Sequence, residues 1–117
     1  MYGFLVGELV VKRGTVKFAD GATWHNGTHV AVEGSGKIVL GQGETFGSDV
    51  VLALAGNGTL EIPKDACQAV RELWVNGQMM RSGIYGGADS PAPNKLAQLT
   101  GEGVVRVRHL GTSIILR

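Results

Sequence analysis

Hydrophobic and polar residues alternate along most of the chain in short runs. "GELVVKRGTVKF", "THVAV", "KIVL", "DVVLALAG", "GTLEIP", "LWVNGQMM", "VVRVRH" and "TSIILR" are rich in Val, Ile, Leu and Thr and are separated by Gly-rich punctuation. A period of two is that of a strand with one face on a core, so the pattern predicts an all-β chain. Asn76-Gly77, between apolar runs, supplies the positive φ angles of a type I′ turn and predicts a hairpin. "PKDACQAVREL" is mixed in pattern and admits one helical turn starting near Asp65. "GGADSPAPNKLAQ" reads as one long loop, with its prolines favouring extended backbone.

A weak repeat runs through these strands. "GSGKIVL" at 34–40, "GNGTLEI" at 56–62 and "GEGVVRV" at 101–107 share Gly-x-Gly followed by an alternating strand. Their spacing is too uneven for a regular solenoid, so the expected architecture is a compact β-sandwich or jelly roll, with a short β-helix as the alternative. The 19 glycines fit many tight turns and lack the three-residue period of collagen.

Composition narrows the class of molecule. A chain of 117 residues is expected to form a single β-rich domain over 1–117 and to bury a core without disulfides or metal, so any metal would serve function rather than folding. The net charge of +1, with Lys and Arg interspersed, argues against nucleic acid and membrane surfaces as partners. Cys67 has no second thiol to pair with and reads as a small buried hydrophobe. No apolar run approaches the roughly 18 residues of a membrane span. The start, "MYGFLVGELVVKRG", lacks a basic leader and a cleavage site, which suggests either a cytoplasmic chain or the mature form of an exported one.

The stretch from Gly56 to Val107 resembles the closing segments of large secreted bacterial proteins with autotransporter-associated β-strand repeats. The matching features are the strand and "VNG" turn at Leu73 to Gly77, the Gly-x-Tyr-Gly turn at Gly83 to Gly86, the Pro-containing loop at Ser90 to Pro93 and the "TGxGxxxV" strand at Thr100 to Val107. This resemblance implies export to a polysaccharide-rich setting and assigns no catalytic residue. More loosely, in size, strand pattern and histidine inventory, the chain is similar to small copper enzymes that oxidise cellulose on a cupin-type jelly roll. The chain departs from the cupin His-x-His pair, having His25-x-x-x-His29 instead.

His25, His29 and His109 form the one candidate ligand set, since neutral imidazole suits copper and zinc. Alternation through "VVRVRH" puts His109 on the face of Val105 and Val107, either as a ligand at the mouth of a barrel or as a satisfied core imidazole. A two-residue turn at Asn26-Gly27 would send His25 and His29 to opposite faces, with His25 the better partner for His109. A straight strand would hold the two rings too far apart to chelate, whereas a bulge at Gly27 would bring them together.

Other chemistry has less support. No two carboxylates are close enough in sequence to nominate a glycosidase pair, no Gly-x-Ser-x-Gly elbow occurs, and neither Gly-rich stretch fits a phosphate loop. The aromatics suited to a sugar are Trp24, Trp74 and Tyr85, with Trp74 equally consistent with a core position. Met79 and Met80 read as hairpin residues rather than copper ligands.

The expected function is a copper-dependent oxidoreductase acting on an insoluble polysaccharide such as cellulose. His25, His29 and His109 would hold the metal and activate O2 or peroxide, and Trp24, Trp74 and Tyr85 would contact substrate. The alternatives are a non-catalytic carbohydrate-binding or adhesion module, and a structural unit of a larger secreted protein. A homodimer through "FLVGELVV" or "TSIILR" is compatible with either terminal strand.

Overall fold

The structure, a computed structural model, describes residues 8–23, 29–46 and 49–107. Its regular elements are all strands. The first sheet is ordered β1 (Glu8–Val11), β3 (His29–Val32), β5 (Val51–Leu54), β8 (Glu72–Val75) and β9 (Gln78–Met79). The second runs β2 (Thr15–Lys17), β4 (Lys37–Val39), β6 (Thr59–Glu61) and β12 (Leu99–Thr100). The third runs β7 (Cys67–Val70), β13 (Val104–Val107), β10 (Gly83–Gly86) and β11 (Asn94–Lys95).

Eight of the ten described strand pairs are parallel; only β8 with β9 and β10 with β13 are antiparallel. The pairing is therefore that of the short β-helix and not of the antiparallel sandwich or jelly roll that the sequence pattern favoured. Each coil lays a strand against the same strand of the coil before. Leu9, Val30, Leu52 and Leu73 are register partners in successive strands, at steps of 21, 22 and 21 residues. In the second sheet Val16, Ile38 and Leu60 follow at steps of 22 and 22.

These ladders make the core. Leu9, Val30, Leu52 and Leu73 form one inward row and Val11, Val32, Leu54 and Val75 a second, and all eight are buried. They meet Ile38, Leu60 and Leu99 from the second sheet and Val70, Val105 and Val107 from the third. Identical inward rows are what parallel stacking requires, because each residue packs on its counterpart one coil away.

The Gly-x-Gly repeats are corners of this coil. A Cβ on Gly58 would lie 2.6 Å from the Val32 carbonyl oxygen, and one on Gly36 would strike the carbonyl of Val11 in the same way. Only glycine permits that approach. The coils are tied there by matching bonds: Glu33 N–H donates to Val11 O at 2.9 Å, and Ala55 N–H donates to Val32 O at 3.0 Å. The third Gly-x-Gly, at 101–103, leads into β13 of another sheet and is not in phase with the first two.

The last coil departs from the pattern. Between β5 and β6 four residues turn the corner, 55–58, whereas between β8 and β12 the chain runs through 76–98 and adds β9, β10 and β11. The predicted hairpin is present within this insertion, pairing Trp74 with Met79 and Val75 with Gln78, and Asn76 and Gly77 have φ of 50° and 82°. The predicted loop includes β11, paired in parallel with β10. The helical turn expected near Asp65 is instead a tight turn, closed by Ala66 N–H donating to Pro63 O at 3.1 Å, with Asp65 at φ 67°.

Candidate functional site: the outer face of the first sheet

Alternation that points Leu, Val and Ile inward sends the intervening residues outward. On the first sheet these form two rows across the strands. One contains Glu8, His29, Val51 and Glu72; the other contains Val10, Ala31, Ala53, Trp74 and Met79. Val10 and Met79 are 40% and 39% exposed, so the second row ends in open apolar side chains. Its middle is floored by two alanines. The result is a shallow, mainly apolar groove lined by His29, Val51, Ala53, Leu54, Trp74 and Gly77.

Trp74 stands at the edge of this groove, half-buried, while Leu73 and Val75 on either side of it are buried. Its place on the outer face resolves the choice between core and surface. The indole Nε1–H donates to Glu72 Oε1 at 3.0 Å, two residues earlier on the same face of β8. Sequence reading did not single out Glu72 or Ala53. The i, i+2 spacing of Glu72 and Trp74 signals the first, since it puts both on one face of a strand. The second needs strand pairing.

His29 opens β3, half-buried, in register with Glu8 and Val51. Trp24, His25 and His109 lie outside the described residues, so His29 is the one member of the histidine set whose surroundings are known. Among the described residues no three His, Cys, Asp or Glu side chains come together as a metal group. The alternation that aimed His109 inward holds through Val107, with Val105 and Val107 buried and Arg106 exposed.

Tyr85 does not belong to a sugar platform. It is 8% exposed within the core, and its hydroxyl donates to the Arg81 carbonyl at 2.8 Å. Without an open ring face it has nothing for a sugar to stack on. Cys67 also departs from its expected place. It is exposed, at the rim of a second cleft with Lys64, Asp65, Pro91, Glu102 and Val104, because the alternation of β7 turns Gln68 and Val70 inward. The strand "FLVGELVV" is described only from Glu8, and "TSIILR" lies outside the described residues.

Comparison with known proteins yields no match: no family model, no curated protein and no solved structure is similar to the chain at a significant level.

Proposed function

We propose that the chain is a non-catalytic carbohydrate-binding module that contacts a neutral polysaccharide through the outer face of its first sheet. The observation that carries this reading is Trp74, whose half-buried indole edges an apolar groove floored by Ala53. An indole combines a large apolar area with little conformational freedom, which suits it to packing on the C–H face of a sugar ring. The lack of excess charge on the chain fits an uncharged ligand. Export to a polysaccharide-rich setting, as the resemblance of residues 56–107 implies, belongs to the same proposal.

The test is sedimentation with insoluble cellulose, chitin and mannan in the presence of EDTA. Retention of the chain on one of them, and its loss in Trp74→Ala, is the expected result. Binding that persists in Trp74→Ala would remove this face as the site.

A second reading keeps copper. His29 lines the same groove as Trp74, so a copper ion held by His25, His29 and His109 would lie beside the sugar. Oxidative cleavage of cellulose would then be the activity. Copper titration calorimetry on chelator-stripped protein and on His29→Ala distinguishes the two. One equivalent bound tightly, and lost in the variant, favours the oxidoreductase.

A further inference from the structure

We infer that Glu72 is the positioning residue of this site: its carboxylate fixes the Trp74 indole, so that the ring offers its π face and not its N–H to a sugar. The inference rests on the carbohydrate-binding reading above and adds to it how the site selects its ligand.

The geometry is local. Glu72 and Trp74 sit two apart on one face of β8, and Trp74 Nε1 reaches Glu72 Oε1 at 3.0 Å with both side chains half-buried. Trp has a single polar atom, a donor. With that donor engaged, an incoming ring meets only the indole's apolar surface. The carboxylate has a second oxygen, Oε2, which the indole bond does not use; the group at that position, O in Glu or NH2 in Gln, is a polar partner for a sugar hydroxyl beside the ring. Stacking and hydroxyl capture are thereby adjacent, which is the arrangement a pyranose with an apolar face and hydroxyls at its rim satisfies. Glu8 ends the same outer row three strands away, so the negative charge beside the indole is that of Glu72. A carboxylate-bearing polysaccharide would meet repulsion there.

An indole held before the ligand arrives loses less freedom on binding than a free one. Removing Glu72 therefore weakens binding even though the indole itself remains. Gln supplies an oxygen acceptor of the same shape, so Glu72→Gln preserves the indole bond.

The experiment measures retention on cellulose, chitin and mannan for wild type, Trp74→Ala, Glu72→Ala and Glu72→Gln, with the indole N–H resonance of Trp74 read by NMR and melting followed for each. Glu72→Ala is expected to bind about tenfold more weakly, the scale of a hydrogen bond to a charged group. Its Trp74 indole resonance shifts, and Glu72→Gln restores both signals. A merely structural role for Glu72 would lower melting without moving the resonance or being rescued by Gln. Loss of binding in Trp74→Ala with wild-type binding in Glu72→Ala would overturn the positioning role and leave the binding face standing. Binding of none of the three polysaccharides by wild type, or undiminished binding by Trp74→Ala, would remove both.

Discussion

The side-chain oxygen of Gln68 accepts the backbone N–H of Thr45 at 2.9 Å, across 23 residues of sequence. Gln68 is fully buried on β7, and the same oxygen also takes the N–H of Phe46 at 3.1 Å while its Nε2 donates to the carbonyl of Gly43 at 2.8 Å. One amide thus satisfies three backbone groups of the segment that delivers Phe46 to the core. There the Phe46 ring meets Phe18 edge-on at 6.3 Å. Backbone polar groups buried without a partner are costly, so a segment outside the regular strands draws on such a side chain.

Gln68→Leu, close in volume, should therefore destabilise the chain by about 3 kcal/mol, because it orphans the two buried N–H groups of Thr45 and Phe46 and also removes the bond to the exposed Gly43 carbonyl. Urea denaturation measures this directly. Gln68→Glu is the informative companion, since it keeps the double acceptor and loses the donor to Gly43. A Leu variant as stable as wild type would mean that water serves the 43–46 segment and that Gln68 is dispensable.

The corner glycines make a second prediction with its own control. Gly58 is confined by the Val32 carbonyl at 2.6 Å, whereas a Cβ on Gly77 would meet nothing within 4 Å and would suffer only from its φ of 82°. Gly58→Ala should cost about 3 kcal/mol, at the upper end of overpacking, while Gly77→Ala should cost about 1 kcal/mol, the scale of left-handed backbone. Equal losses in denaturant midpoint would show that the coils do not abut at Gly58.

How far the fold could be read from the sequence follows from what local pattern encodes. The Asn76-Gly77 hairpin was legible because its turn chemistry is contained in two adjacent residues. The inward rows were legible too, since alternation marks which residues face a core. Alternation is the same in parallel and antiparallel neighbours, so it did not tell a β-helix from a jelly roll. The deciding signal was the 22-residue step from Gly14 to Gly36 to Gly58, each immediately preceding a strand of the second sheet. The Gly-x-Gly at 101–103 obscured it, because the 76–98 insertion lies between and that motif feeds the third sheet. Trp74 could be set opposite Leu73, but which of the two was buried depended on neighbours in β5 and β9. Tyr85 and Cys67 were misjudged for the same reason: exposure belongs to the assembled coil rather than to residue type.

Cys67 offers a direct check on that lesson. As an exposed thiol on the outward side of β7, it should react with a disulfide reagent in the native state, one equivalent per chain, without denaturant. Cys67→Ser should shift stability by no more than about 0.5 kcal/mol, as surface substitutions do. A thiol that reacts only after unfolding would put Cys67 back in the core and reverse the assignment of faces on β7.

The join between the third coil and the inserted hairpin can be dissected at Asn76. Its backbone N–H donates to Leu54 O at 2.8 Å, and its side-chain Oδ1 accepts the N–H of Gly56 at 2.9 Å, so the first residue of the hairpin turn also closes the corner one coil earlier. Its φ of 50° is left-handed, which Asn and Asp tolerate and Ala does not. Three substitutions separate these contributions. Asn76→Asp keeps an acceptor and the backbone preference and should stay within about 0.5 kcal/mol of wild type. Asn76→Gly keeps the conformation and loses the acceptor, which should cost about 1 kcal/mol for the bond to Gly56. Asn76→Ala loses both and should cost about 2 kcal/mol. Measured by urea titration, the order Asp, Gly, Ala is the expected outcome. If Gly were as stable as wild type, the Gly56 bond would contribute nothing, and the hairpin beside Trp74 would be held by its own turn chemistry alone.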